Sequence, residues 1–347
     1  MKTEKNAPAT TYRRRTTGLG LLAVAVLVTT TACAAGGTAS AEGETYSLTF
    51  GHGYATDTAN HECAVGFAEQ VSQLTDGALE IEIFPNSQIG TESELVQGLT
   101  LGSIDIADVS SGVLAVLQPE MGIFAAPYLF NNAEQQKSLA SGDVGKRLYS
   151  DLESTAGITL LSTFFQPPRH LTSDVEVHSA EDVEGLKIRV PEIPIFTSYW
   201  SATNASPTPI NFGELYTSLQ QGVVNAQENP FVYIDSAKLY EVQEYLILTS
   251  HVRNFEWYAA NTASLEKLPE NLRNAVSTAG VDAQSCVNDK WSESDDELLQ
   301  KFKDQGMTVI EPDVESFSSI MHESYESILP EELHSLYKEI RAINAAG

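Results

Sequence analysis

Catalytic signatures are missing from this chain of 347 residues. There is no G-x-S-x-G elbow to present a serine, no H-E-x-x-H pair to hold zinc on one helix face, no phosphate-binding glycine loop and no C-x-x-C. His61-Glu62-Cys63 has no further ligand at metal spacing and reads as the solvated first turn of a helix. The expectation is therefore not an enzyme, with no cofactor and no metal. Cations are scarce as well: 20 Lys and Arg stand against 47 Asp and Glu, a formal charge of −27. So acidic a protein has no electrostatic affinity for nucleic acid or for an anionic membrane face. Cysteine occurs only three times, too few for a disulfide-built scaffold. No internal repeat and no low-complexity block interrupts the chain, whose length suits two ordinary domains.

What is present begins with a leader. Arg13, Arg14 and Arg15 precede an apolar run from Leu19 to Val28, then small residues and Cys33, the pattern of a secretory signal ending at a lipid-attachment cysteine. The run is too short to span a bilayer. No large apolar residue follows the arginines at the offset that twin-arginine export requires. A plain cleaved signal with an incidental cysteine is the other reading. Cleavage before Cys33 would remove five cations and Glu4, taking the formal charge from −27 to −31. Residues 1–32 are thus a signal peptide and 33–44 a small, polar tether. Two cysteines then remain, Cys63 and Cys286. In an oxidising compartment they are either a disulfide joining the first helix to a late long helix or two separate buried thiols.

Tyr46, Leu48 and Phe50 alternate as a first strand. A helix follows from about Thr58 to Leu74, stopped by Asp76-Gly77, then a strand from Ala78 to Phe84. Thr91 and Glu94 form a capping box for a helix through Leu101, and Ile104 to Val109 is a strand delivering Ser110 to a loop. This alternation predicts a mostly parallel sheet flanked by helices. Further on come a helix near 144–152, a buried strand from Gly157 to Phe165 and a stiff turn, Gln166-Pro167-Pro168-Arg169. After the central stretch, strands are expected at 245–249, 255–260 and 307–310. From Pro269 to about Asp304 runs one amphipathic helix interrupted only by Gly280. At ~1.5 Å per residue it would reach roughly 54 Å, enough to lie across two domains.

The chain is organised around 185–230. It reads as a strand (GLKIRVP), a helix (IPIFTSYWSAT), a proline-locked turn (SPTPI), a second helix (FGELYTSLQQG) and a buried strand leading to Glu228-Asn229-Pro230. Leu186, Ile188 and Val190 alternate with Lys187 and Arg189, and Pro191 ends the strand. Arg189 therefore sits at a strand's carboxyl end, where open α/β sheets bind ligands. A guanidinium there can hold a carboxylate in two parallel charge-assisted hydrogen bonds. Arg169, Phe212 and Asn229 are its candidate companions. Each also has a plain alternative: Arg189 paired with one of many carboxylates, Phe212 in a core, Asn229 capping a helix begun by Pro230.

The run 185–230, followed by LYEVQEYLILTSH (239–251), resembles the solute-binding subunits of tripartite ATP-independent periplasmic (TRAP) transporters. FPNSQIG (84–90), APYLF (126–130) and LPENLR (268–273) extend the resemblance over nearly all of the chain after the leader. It implies an α/β, two-lobed periplasmic-binding-protein fold with a long helix spanning both lobes: 45–166 plus 255–294 in lobe I, 167–254 plus 295–347 in lobe II. It further implies that Arg189 binds the ligand carboxylate, with Arg169 as second arginine, Phe212 against the ligand and Asn229 hydrogen-bonding the carboxylate. Ser110 matches a polar ligand-contacting position, and the loops around His52, His61 and Trp257 would face the cleft. Val224-Asn225-Ala226 stands where Val-Asp-Gly is common. The expected function is extracytoplasmic capture of a small organic acid, either a sugar acid such as a hexuronate or a C4-dicarboxylate. Its partner is a TRAP permease, and a lipid anchor holds the monomer at the outer face of the cytoplasmic membrane. The alternative is a binding protein for an ABC importer or a sensor kinase.

Overall fold

The computed structural model describes residues 44–346. The signal, Cys33 and the tether up to residue 43 lie outside them. Among the described residues the strands are β1 (Tyr46–Gly51), β2 (Leu79–Phe84), β3 (Ile106–Ser110), β4 (Ile158–Leu160), β5 (Phe164–Phe165), β6 (Arg169–Ser173), β7 (Lys187–Val190), β8 (Ser206–Pro209), β9 (Ala226–Asn229), β10 (Tyr245–Val252), β11 (Phe255–Asn261) and β12 (Thr308–Ile310). They form two sheets. The first has the order β2-β1-β3-β11-β4, with β5 also on β11; the second is β12-β10-β6-β9-β7-β8. This is the two-lobed α/β architecture.

Besides the long helix that leads from β11 to β12, the chain crosses between the sheets at two adjacent places. It leaves the first sheet after β5 through Gln166-Pro167-Pro168 and returns from β10 to β11 through Arg253-Asn254. Because the strands flanking these links run in opposite directions, β11 is antiparallel to β3, β4 and β5, and β10 is antiparallel to β6. The expected mostly parallel sheet is therefore corrected to a mixed one. Parallel pairing holds where helical crossovers link the strands, as in β1–β2, β1–β3 and β7–β9.

Other local expectations shift for identifiable reasons. Ser206-Pro207-Thr208-Pro209, read as a turn, is the edge strand β8 beside β7, a position where proline's missing N–H removes no ladder bond on the solvent side. The single strand expected over 157–165 is broken into β4 and β5. Between them the backbone bonds to the long helix instead: Thr163 N donates to Gln284 Oε1 at 2.8 Å, and Asn288 Nδ2 donates to Thr163 O at 3.1 Å. Arg169 opens β6 and does not sit in a turn. Phe212 lies in a 3₁₀ turn, Phe212–Glu214, ahead of a short helix, Leu215–Gln220.

The long helix is Glu270–Asp304, 35 residues or about 52 Å. Its Leu272, Val276, Ala283 and Trp291 share a core with Phe67 and Val71 of the helix Ala59–Leu74, whereas Phe302 packs with Ile234 and Leu246 of the second lobe. Gly280 is no turn. A Cβ there would lie 2.5 Å from Leu161 O, so glycine lets the helix approach the backbone of the first lobe. Cys63 and Cys286 are joined in a disulfide between the two helices. At the C-terminal end, Val314–Ile328 packs on Pro194–Ala202 and β10. The last helix, His334–Ala346, lies against Pro119–Ala125. Asn344 Nδ2 donates there to Leu129 O at 2.7 Å.

Candidate ligand-binding cleft

A cavity of about 840 Å³, its open mouth included, lies between the sheets beside the two crossings. Strand ends supply most of its wall, since β3, β7 and β9 all finish there. Arg189, Arg169, Asn229, Phe212 and Ser110 line it together. The side chains of His52, His61 and Trp257 are not among the lining residues, although their neighbours Gly53, Tyr54 and Glu256 are. Trp257 is wholly buried on the face of β11 opposite Glu256, packed against Phe124 and Phe255; the period-2 alternation of a strand sends neighbours to opposite faces. His52 is buried with its Nε2 3.1 Å from His61 Nδ1. Burial first, and then the neighbouring His61, lower its pKa to about 4.

The two arginines have different surroundings. Arg169, 5% exposed, is held by Glu228: Nη2 donates to Glu228 Oε1 at 2.8 Å and to the backbone O at 2.6 Å, and Nε donates to Oε2 at 2.5 Å. It also donates to Asn229 Oδ1 at 3.0 Å and packs over the Phe196 ring. His251 Nε2 approaches the same Glu228 at 2.9 Å. Burial alone would raise Glu228, but the Arg169 charge and the His251 hydrogen bond outweigh it and hold the carboxylate below its usual range. The Arg169 charge is thus already compensated.

Arg189 is 3% exposed and makes one side-chain hydrogen bond among the described residues, Nε to Ile210 O at 2.8 Å. The side chain lines the cavity, and among the described residues its two terminal nitrogens have no protein acceptor. Burial lowers its pKa to about 10, with the Glu228 charge opposing, so the guanidinium stays charged at neutral pH. A buried cation with unfilled donors favours an anion, and the fork geometry favours a planar one.

Opposite the arginines stands an acidic wall that sequence reasoning missed. Asp108 on β3, Glu256 on β11 and Glu92 in the first turn of the helix Glu92–Leu101 all line the cavity. The β3–β11 register sets Glu256 opposite Ser110 and Tyr258 opposite Asp108. The Thr91–Glu94 capping box starts the helix where Glu92 accepts from Ser110 N and Oγ at 2.5 and 2.6 Å. Tyr54 and Tyr233, stacked with ring centroids 5.1 Å apart, both donate to Glu256. Burial is the main cause raising all three carboxylates, to about 7 for Glu256. No signal in the sequence marked these three among 47 acidic residues; only strand pairing brings them together.

The structure resembles that of a TRAP periplasmic solute-binding protein from Roseobacter denitrificans bound to L-galactonate, with 34% identity and a TM-score of 0.82 over 86% of this chain and 99% of that one. It also resembles one from a Polaromonas species bound to D-erythronate, with 29% identity and a TM-score of 0.80 over 86% and 99% of the two chains. The C4-dicarboxylate-binding periplasmic protein of Rhodobacter capsulatus is 29% identical over 76% of this chain and 80% of its own length. Among the described residues no helix is long and apolar enough to cross a membrane. Residues 50–332 match the bacterial extracellular solute-binding proteins of family 7, and the chain belongs to that family of TRAP solute-binding proteins, which are not enzymes.

Proposed function

We propose that this protein captures a small organic acid outside the cytoplasm, a sugar acid or a C4-dicarboxylate, and delivers it to a TRAP permease. The observation that carries the reading is Arg189, a buried guanidinium that lines the cavity and whose terminal donors are unpaired among the described residues. In this reading Arg189 takes the carboxylate in bidentate fashion, Asn229 adds an amide contact, Phe212 covers the ligand and Ser110 borders it. Arg169 contributes mainly by fixing Asn229, because Glu228 already neutralises its charge. The acids bound by the relatives from Roseobacter and Polaromonas each carry a carboxylate, which supports the same reading. Family membership favours the TRAP permease over an ABC importer or a sensor kinase as recipient.

A thermal-shift screen against dicarboxylates, hexuronates, aldonates, sialic acid and keto acids tests it. An acid at 100 times its Kd raises stability by ~2.7 kcal/mol, moving the midpoint by a few degrees. Arg189→Ala is expected to weaken binding by ~2–5 kcal/mol, roughly 30-fold to several thousand-fold, as removal of one buried charge partner does. Arg189→Lys should also bind poorly, since the planar fork is lost. Undiminished binding in both variants, or a response to neutral sugars alone, would refute the carboxylate clamp. The protein is further proposed to be an exported monomer anchored through Cys33. Cys33→Ala should then move it from the membrane fraction to the soluble fraction, and an unchanged distribution would rule the anchor out.

A further inference from the structure

The acidic wall facing Arg189 holds acceptors of two kinds. Glu256, 2% exposed, is saturated: Tyr54 Oη donates to it at 2.8 Å, Gln166 Nε2 at 2.7 Å, Tyr233 Oη at 3.0 Å and Asn60 Nδ2 at 3.4 Å. Asp108 and Glu92 are not. Asp108, 3% exposed, accepts from Asn60 Nδ2 on Oδ2 at 3.2 Å, while its buried Oδ1 has no hydrogen-bond partner among the described residues. Glu92 binds Ser110 through Oε1, and its Oε2 is unengaged among the described residues. A buried carboxylate oxygen without a donor is costly, and here it borders the ligand cavity. The nearest neutral donors, Asn60, Tyr54, Gln166 and Tyr233, are all turned toward Asp108 or Glu256. The wall therefore asks for donors from whatever enters.

Resting on the carboxylate capture proposed for Arg189, we infer that the ligand is a polyhydroxylated monocarboxylate whose distal hydroxyls donate to Asp108 and Glu92, and that these two residues exclude C4-dicarboxylates. A second carboxylate reaching that wall would set acceptor against acceptor at the donor-less oxygens of Asp108 and Glu92, which is costly for buried groups. A hydroxyl brings the missing donor without a charge.

Titration calorimetry with L-galactonate, D-glucuronate, succinate, L-malate and 5-aminovalerate tests the inference. The better sugar acid is expected to bind at least ~30-fold more tightly than either dicarboxylate, the effect of ~2 kcal/mol. Asp108→Asn should narrow that gap by about tenfold or more, because a charge-assisted acceptor becomes neutral. Glu92→Gln, at a half-buried position, provides the same comparison if the buried substitution impairs folding. A smaller gap in the wild-type protein, an unchanged gap in the folded variants, or tightest binding of 5-aminovalerate would overturn the inference. Arg189→Ala separates the two levels. If it abolishes acid binding while the gap criterion fails, only the specificity assignment falls; if acid binding survives it, the capture reading itself falls.

Discussion

Glu256 shows how one side chain can couple the cavity to pH. Burial, and next the Glu92 charge, push it up to about 7 against hydrogen bonds from Tyr54 and Tyr233. A carboxylate raised on folding holds its proton more tightly in the folded state. Its stabilising contribution is complete below the unfolded carboxylate range near ~4.3 and is lost as pH rises toward the folded value. His52, lowered to about 4, and His170, lowered to about 3, both chiefly by burial, act oppositely and cost stability as pH falls below ~6.5. Comparing the wild type with Glu256→Gln isolates the carboxylate. Between about pH 4.5 and 7 the wild type should lose stability relative to the variant, by up to ~1.4 kcal/mol per pH unit. Urea melts at several pH values measure this, and parallel profiles would refute it. Arg189 was legible in the sequence because a strand, a proline and a helix fix its place locally. Asp108 and Glu256 were not, because each is one carboxylate among many until β3 and β11 pair.

At the scale of elements, the long helix carries the connection between lobes. Its first half is locked to the helix Ala59–Leu74 by the Cys63–Cys286 disulfide, which closes a separation of 223 residues in sequence. So long a loop implies a substantial entropic effect on the unfolded chain, on the order of 2–5 kcal/mol. The Cys63→Ser, Cys286→Ser double variant should melt several degrees lower. It should keep its acid affinity within a few-fold, since neither cysteine lines the cavity. An unchanged melting temperature would remove the bridge from the stability of the fold, and a lost affinity would tie it to the site. The helix length was legible from 269–304, where no proline intervenes, but the role of Gly280 was not. Its meaning lies in the proximity of Leu161 O, which no local pattern encodes.

The whole molecule carries a formal charge of −27 and binds, in the reading above, an anion. The global field opposes approach, while Arg189 attracts only at short range. At ~0.01 M salt the Debye length is about 30 Å and the acidic surface repels the incoming acid; at ~0.1 M it is about 10 Å and much of that repulsion is screened. The association rate should therefore rise with salt over this range, the reverse of ordinary electrostatic steering. Stopped-flow fluorescence at two ionic strengths decides it, and a falling rate would show that local attraction dominates the approach. The crossings at Gln166-Pro167-Pro168 and Arg253-Asn254 are the only backbone links near the cavity between the two sheets among the described residues apart from the long helix and the segments that follow it. Tyr233, on the helix after β9, reaches across to Glu256, so the acidic wall is also where the lobes meet.

The sequence by itself determined the elements whose signals are local. These include the alternation of β1 and β7, the capping box at Thr91 and Glu94, the long helix and the strand-end position of Arg189, because spacing, caps and proline act within a few residues. Only the tertiary structure decided the mixed sheet, the neutralisation of Arg169 by Glu228, the burial of Trp257 away from the cleft and the acidic wall of Glu92, Asp108 and Glu256. Each of these depends on which strands become neighbours and which face a side chain then takes. Residues 164 positions apart in sequence, as Glu92 and Glu256 are, acquire a shared field only when pairing and burial bring them to one low-dielectric cavity.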